Sequence, residues 1–202
     1  MMMINWIIFD QARVQTHDVF SRKDSYSING KKFLAKDLEA IFFIPEYKKF
    51  SIGEIDEKEL ISIFLQQKNI DLDVKGYIEV FKKGIEPIEG MKSILESLSK
   101  NYQMATLINE GSEWANYKLN VSDFRKFFKK HFISGDLKVE KPNPEIYEIV
   151  LEKLNIKPEE CIFVDDQTKN CIAAEKLGIK SIVFKNPVQL KKELVASSIN
   201  ID

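Results

Sequence analysis

The chain has 202 residues, of which 44% are hydrophobic and 30% are charged, proportions that are ordinary for a folded domain with a sizeable core. Its 30 basic and 31 acidic residues give a formal net charge of −1, so no global charge draws it to nucleic acid or to an acidic membrane surface. Length and charge therefore predict one domain, or one domain with a smaller insertion, without a nucleic-acid or membrane partner.

The chain opens with an apolar segment that ends at Asp10 and has no basic residue before it. This segment is too short to span a bilayer, and it lacks the basic start of a signal peptide. The two cysteines, Cys161 and Cys171, lie in an apolar strand and in the helix after it, where free thiols of a reduced core are expected. Both features predict a cytoplasmic protein.

Five short apolar runs have the length and composition of buried parallel strands: residues 6–9, 103–108, 131–134, 161–164 and 181–184. Patterns of helical period cover residues 91–98, 145–154 and 172–177. Asn143 is the predicted N-cap of the second helix, with Pro144 at its first position. Alternation of strands and helices predicts an α/β fold whose parallel sheet has helices on both faces.

The segment from about residue 17 to residue 85 interrupts this alternation. It contains helical patterns at residues 34–43, 57–67 and 74–81, and Asp56 is placed as the N-cap of the second. We predict a small α-helical cap over residues 17–85, inserted after the first strand. Residues 1–16 and 86–202 are then the core domain.

Polar residues directly follow three of the predicted strands: Asp10, Asn109 and Asp165. Because ligands of open parallel sheets bind beyond the carboxyl ends of the strands, we expect these side chains at one site. Lys141, which precedes a Pro-Asn-Pro sequence, adds an amine, and Asp166 adds a further carboxylate. An amine beside several carboxylates suits a site that holds a metal ion and a phosphate.

The order of these motifs resembles the haloacid dehalogenase (HAD) superfamily, and in particular its phosphatase-rich subgroup with a small helical cap after the first strand. The motifs are Phe9-Asp10, Leu107-Ile108-Asn109, Lys141-Pro142-Asn143-Pro144 and Val164-Asp165-Asp166 with Asn170. The resemblance covers about residues 4–184 and implies a Rossmann-like core. It also implies a magnesium-dependent hydrolase that acts on a small phosphorylated metabolite.

The resemblance assigns roles to the matching residues. The family's first-strand aspartate attacks phosphorus and forms an aspartyl-phosphate, so Asp10 is the expected nucleophile. Mg²⁺ is expected between Asp10, the backbone carbonyl of Ala12, and Asp165 or Asp166. Which of these last two binds the metal directly is left open. Lys141 is expected to neutralise the attacking carboxylate and the phosphoryl oxygens.

Further residues are expected to support the site. Asn170 is predicted to orient the aspartate pair from the following helix. Asn109, Ser112 and Arg13 are predicted to bind substrate, the last because a guanidinium beside the nucleophile suits a phosphate or a carboxylate.

Two positions depart from the family pattern. Ala12 stands where the phosphatases carry the aspartate that protonates the leaving alcohol and later activates water, a loss that typically lowers the rate about 10²–10⁴-fold. Ile108 stands where a hydroxyl normally binds the phosphate, a hydrogen bond worth roughly 1.5–3 kcal/mol, and Ser112 is the expected substitute. We therefore expect metal and phosphate binding with impaired turnover.

Other functions are kept as alternatives. A silenced relative that binds a phospho-ligand or a protein partner is favoured by both departures. Metal-free dehalogenation is disfavoured, because the Asp165–Asp166 pair beside the nucleophile would repel it without a cation. A phosphonate-cleaving enzyme also tolerates alanine two residues after the nucleophile. No feature of the sequence selects the cap lysine that such an enzyme requires.

Overall fold

The computed structural model describes residues 4–201. Its strands are β1 (Trp6–Phe9), β2 (Ser25–Ile28), β3 (Lys31–Leu34), β4 (Gln103–Ile108), β5 (Lys130–Ile133), β6 (Cys161–Asp165) and β7 (Lys180–Val183). Five of them form one parallel sheet in the order β5-β4-β1-β6-β7. The other two, β2 and β3, pair with each other as an antiparallel hairpin.

The helices follow in chain order. They are α1 (Ala35–Glu39), α2 (Pro45–Ser51), α3 (Glu57–Gln67), α4 (Val74–Lys83), α5 (Met91–Leu98), α6 (Ser112–Val121), α7 (Ser134–Leu137), α8 (Pro144–Leu154), α9 (Thr168–Glu175) and α10 (Pro187–Ala196). Short 3₁₀ turns lie at Ala40–Phe43, Arg125–Phe127 and Pro158–Glu160.

The five-stranded sheet is covered on both faces. Side chains of a strand point alternately to opposite faces, so Ile7 and Phe9 pack in one hydrophobic cluster while Ile8 packs in another. The first cluster includes residues of α5, α6 and α10, and the second includes residues of α8 and α9. This is the predicted α/β arrangement, a Rossmann-like parallel sheet with helices on both faces.

Most predicted elements of the core lie within a few residues of the observed ones. The predicted strands at residues 6–9 and 103–108 and the helix at residues 91–98 have the observed bounds. Asn143 caps α8, since its side chain accepts a hydrogen bond from the backbone N–H of Glu145. Asp56 caps α3 in the same way through Glu59.

The insertion after β1 differs from the prediction at its start. Residues 34–43 do not form one helix, because β3 ends at Leu34 and a short helix and a 3₁₀ turn follow. The hairpin turn is Asn29-Gly30, whose φ angles of 49° and 76° both lie in the left-handed region. An Asn-Gly pair between two alternating runs favours this turn, so the sequence carried a signal for the hairpin.

The insertion packs around one tryptophan of the core. Trp114 of α6 is fully buried. Its ring centroid lies 4.3 Å from the ring centroid of Phe81 and 4.8 Å from that of Phe50. These contacts bring the hydrophobic cluster of the insertion onto α6. The division of the chain into a core domain and a cap at residues 17–85 stays a prediction.

Both cysteines are free and buried, as predicted. Burial raises the pKa of the Cys161 and Cys171 thiols to about 12, so neither is a thiolate at neutral pH. Within residues 4–201, no helix combines the length and the apolar character needed to cross a membrane. The cytoplasmic location stays a prediction.

Candidate active site

Three carboxylates converge at the carboxyl end of the parallel sheet. Asp10 directly follows β1, Asp165 is the last residue of β6, and Asp166 comes next. The parallel register pairs Phe9 with Val164, so the residues that follow them lie side by side. One oxygen atom from each of the three carboxylates lies within 4.8 Å of the others, and the first two side chains are buried.

Lys141 lies between two of these carboxylates. Its Nζ is 2.7 Å from Asp10 Oδ1, 2.7 Å from Asp165 Oδ2 and 2.7 Å from the backbone oxygen of Leu107. An ammonium group has three hydrogens to donate, and these three acceptors use all of them. The side chain is buried, so its charge acts on the two carboxylates with little screening by water.

Two amide side chains hold the site in place. Asn109 donates from Nδ2 to the backbone oxygen of Lys141 (2.8 Å), and its Oδ1 accepts from the backbone N–H of Lys141 (2.9 Å). Asn170 donates from Nδ2 to both oxygens of Asp165, at 2.9 and 3.0 Å. Asn170 therefore makes the contact that its predicted orienting role requires. The amide of Asn109 holds the Lys141 loop, and Asn109 also lines the cleft, so its predicted role in binding substrate stays a prediction.

Burial and mutual repulsion raise the pKa values of two carboxyl groups of the acid cluster, Asp10 and Asp166. Burial raises the pKa of Asp10 to about 7, because the lowering by Lys141 is partly offset by the charge of Asp165. Burial, together with the charge of Asp165, also raises the pKa of Asp166. Burial lowers the pKa of Lys141, but the charges of Asp10 and Asp165 outweigh it and the net shift is upward. The three carboxylates thus have less positive charge around them than they require.

The loop after β1 is a tight turn closed on Gln11. The backbone N–H groups of Gln15 and Thr16 both donate to the oxygen of Gln11, at 2.8 and 3.1 Å. This turn places Ala12 in the cleft and gives Arg13 a φ of 60°. The side chain of Ala12 has no acidic proton to donate. The departure from the family pattern at this position therefore lies within the candidate active site.

The other predicted substrate residues lie at different places. Arg13 is 61% exposed and lines the cleft. Its Nε donates to Asp18 at 2.7 Å, and its Nη1 lies 3.8 Å from Asp166. Ser112 is not among the residues that line the cleft, and its Oγ donates to Asp136 at 2.5 Å. The start of α6 turns this hydroxyl toward α7, and the role of Ser112 as the replacement for the missing hydroxyl stays a prediction. Ile108 lines the cleft as an apolar side chain.

Comparison with known proteins assigns the family. A family model described as haloacid dehalogenase-like hydrolase matches residues 38–184. The chain belongs to this family. The resemblance of the sequence motifs to the HAD superfamily is therefore confirmed.

Curated relatives include several phosphatases. The chain is 30% identical to flavin mononucleotide hydrolase 1 of Arabidopsis thaliana over 76% of its own length, and 28% identical to a phosphorylated carbohydrates phosphatase of Thermotoga maritima over 63%. A glyceraldehyde 3-phosphate phosphatase of Pyrococcus furiosus is 32% identical over 50% of the chain. The matches span 62%, 63% and 43% of the lengths of these relatives.

Solved structures share the fold. A HAD family enzyme of Bacteroides thetaiotaomicron, in complex with magnesium and inorganic phosphate, matches with a TM-score of 0.71, 20% identity and coverage of 91% of this chain and 95% of that one. A predicted HAD-like hydrolase of Porphyromonas gingivalis matches with a TM-score of 0.70 and 20% identity, over 96% and 98% of the two chains.

Asp10 and Asp166 of the acid cluster line a cleft of about 380 Å³. Residues of the insertion line the same cleft: Val19, Glu39, Phe42, Phe43, Tyr47, Lys48 and Ser51. The insertion contains several aromatic residues, but sequence patterns do not indicate which of them line the cleft.

Polar contacts join α2 of the insertion to the core beside this cleft. Tyr47 donates from its hydroxyl to Glu110 Oε1 at 2.8 Å, and Lys118 donates to Glu110 Oε2 at 2.6 Å. Ser51 donates to Glu140, the residue before Lys141, at 3.0 Å. Glu110 and Lys118 are buried, although charged residues are rarely fully buried unless they are paired. Sequence reasoning missed both, because only the fold brings their charges together.

Proposed function

We propose that this protein is a magnesium-dependent HAD phosphatase that transfers the phosphoryl group of a small phosphate ester to Asp10. The observation that carries the proposal is the convergence of Asp10, Asp165 and Asp166 around the buried ammonium of Lys141. The names of the three phosphatase relatives support a phosphate ester as the substrate.

The residues fit a magnesium ion. Three carboxylates face a single buried ammonium group, so the cluster carries an excess of negative charge that a divalent cation offsets. Mg²⁺ prefers hard oxygen ligands and takes only a few of them from the protein. Asp10, Asp165, Asp166 and the backbone oxygen of Ala12 would hold it. When bound, the ion neutralises charge on the phosphoryl oxygens.

The protein's own groups carry out the transfer. A carboxylate oxygen of Asp10 attacks phosphorus, the bond from phosphorus to the leaving oxygen breaks, and an acyl phosphate forms on Asp10. Water then cleaves this acyl phosphate and releases inorganic phosphate. Lys141 keeps the carboxylate of Asp10 oriented through the 2.7 Å hydrogen bond, and the guanidinium of Arg13 binds phosphoryl oxygens from the side of Asp166.

The rate of wild-type protein should depend steeply on the pKa of the leaving group. Ala12 cannot protonate a leaving alcohol, so esters of acidic phenols should react about 10²–10⁴-fold faster than esters of alkyl alcohols. Phosphate release is measured for a series of aryl and alkyl phosphates with Mg²⁺ and, as the control, with a chelator. A flat series, or equal rates with the chelator, would contradict the proposal.

Lys141→Met should make the stability of the protein more dependent on magnesium. The substitution leaves Asp10 and Asp165 buried without their cation, at a cost of roughly 3–5 kcal/mol in metal-free protein. Added Mg²⁺ should restore more stability than in wild type, while phosphate release falls about 10²–10³-fold. Thermal unfolding with Mg²⁺ and with a chelator measures the difference.

Lys118→Met is the matched control for this experiment. It breaks the buried ion pair with Glu110 but leaves the acid cluster unchanged. It should destabilise the protein without increasing the response to Mg²⁺. If both variants respond to Mg²⁺ like wild type, the acid cluster is not the metal site.

The second candidate function is binding without turnover. It is favoured by Ala12 and by Ile108, which together remove the proton donor and the hydroxyl expected of a phosphatase site. The Bacteroides thetaiotaomicron neighbour was also solved, with an aspartate replaced by alanine, in complex with magnesium and inorganic phosphate. Binding of inorganic phosphate in calorimetry, with no phosphate released from any ester of the series, is the result that selects this candidate.

A further inference from the structure

We propose that the organic part of the substrate carries an aromatic ring that packs against Phe43, and that it carries no second anionic group. This inference rests on the proposed function and narrows its substrate class. It follows from the side chains that the insertion contributes to the cleft.

Phe43 lines the cleft and is 80% exposed, the largest exposed fraction among the large hydrophobic residues of the described chain. It is the last residue of the 3₁₀ turn Ala40–Phe43, and the other residues of that turn pack in the hydrophobic cluster of the insertion. A single exposed hydrophobic side chain is ordinary on a protein surface. In the lining of a cleft that also holds Asp10 and Lys141, however, it offers a ring face to a bound molecule.

Two further aromatic residues line the same cleft. The rings of Phe42 and Tyr47 meet edge to face with centroids 5.2 Å apart, and Phe42 also packs edge to face on Trp114 at 5.7 Å. The hydroxyl of Tyr47 is fixed by Glu110. These contacts hold the neighbouring rings in place, so the aromatic surface beside Phe43 is built before a ligand arrives. Aromatic rings prefer such offset and edge-to-face partners.

The charges that line the cleft outside the acid cluster and Lys141 disfavour a second anion. Each of the three cations is paired: Arg13 with Asp18, Lys48 with Glu140, and Lys118 with Glu110. Glu39 also lines the cleft and makes no ion pair within the described residues. This part of the lining therefore has four carboxylates and three cationic groups, and the excess of negative charge repels a second phosphate or carboxylate.

One cleft therefore offers different groups to different parts of one molecule. Lys141, Arg13 and Phe43 all line it, the first two for the phosphate and the third for the ring. A volume of about 380 Å³ is near the lower limit for small-molecule sites, and it suits one phosphate joined to one ring system.

Binding of phosphonates tests this inference without any need for turnover. Calorimetry with Mg²⁺ compares benzylphosphonate, propylphosphonate and 3-phosphonopropionate on wild type, on Phe43→Ala and on Val188→Ala. Val188 is the control, because it is 67% exposed on α10 and does not line the cleft. Phosphonates are not hydrolysed, so the acidity of a leaving group has no influence on the comparison.

We expect wild type to bind benzylphosphonate more tightly than propylphosphonate, and 3-phosphonopropionate more weakly. Phe43→Ala should reduce the preference for the aromatic ligand by roughly 5-fold and leave the affinity for propylphosphonate unchanged. Val188→Ala should change neither affinity. Because Phe43 is exposed, its removal does not endanger the fold.

Other results would overturn the inference. Equal affinities for the benzyl and propyl ligands, or an equal loss of both in Phe43→Ala, would remove the aromatic ring from the proposal. Tighter binding of 3-phosphonopropionate would remove the exclusion of a second anion. Binding of benzylphosphonate that depends on Phe43, together with no release of phosphate from any ester, would contradict the proposed function alone.

Discussion

Asp10→Asn should lower the rate of phosphate release on the order of 10⁶-fold, the scale seen when a covalent nucleophile is removed. The side-chain amide cannot attack phosphorus, but its oxygen can still accept the hydrogen bond that Lys141 donates to Asp10 Oδ1. The fold should therefore survive. The measurement is release of p-nitrophenol from p-nitrophenyl phosphate with Mg²⁺, with circular dichroism as the check on folding.

Asp18→Asn is the matched control for this loss. Asp18 is a carboxylate of the same cleft, but it pairs with Arg13 and stands outside the acid cluster. Its substitution should cost only a small part of the activity. Equal losses in the two variants, or an Asp10→Asn protein with near wild-type activity, would show that another group attacks phosphorus.

Ala12→Asp should raise the rate on alkyl phosphates by about 10²–10⁴-fold, because it supplies the missing general acid and base. Ala12 lines the cleft two residues after Asp10, so the new carboxyl group is placed beside the leaving oxygen. The gain on p-nitrophenyl phosphate should be smaller, since that phenolate leaves without a proton and only the later hydrolysis of the acyl phosphate gains a base. Steady-state rates on one alkyl and one aryl ester measure both effects.

Ala12→Asn separates the proton from the added size. Its side chain has nearly the same shape as aspartate but is not an acid at neutral pH. We expect no gain on the alkyl ester. The same increase for Asn and Asp, or none for Asp, would mean that Ala12 does not limit the chemistry.

The sheet could be predicted because its strands are continuous apolar runs, a pattern typical of strands buried on both faces. The contact of Asp10 with Asp165 follows from the same patterns, since each acid ends a strand of a parallel sheet. The order of the strands does not follow from the sequence. The hairpin does not stand out in the sequence although Asn29-Gly30 favours its turn, because the residues after it have a helical period.

The candidate site could be predicted only as a set of residues. Lys141 lies 131 residues from Asp10 in the chain, so its hydrogen bonds to Asp10 and Asp165 depend on the fold. The direction of the Ser112 hydroxyl could not be predicted, because it is set by Asp136, a partner that no local pattern reveals. Glu110 was missed because its burial depends on the pairing with Lys118.

The site around Asp10 is most directly tested by looking for a phosphoryl group on Asp10 itself. Ala12 cannot activate the water that cleaves the acyl phosphate, so this species should accumulate in wild-type protein. Wild type is mixed with Mg²⁺ and p-nitrophenyl phosphate and quenched in acid, and its peptides are weighed by mass spectrometry. We predict one phosphoryl group on the peptide that contains Asp10, together with a burst of about one p-nitrophenol per chain. Turnover with Mg²⁺ but without a burst, or with no phosphoryl group on that peptide, would contradict the proposed covalent transfer to Asp10.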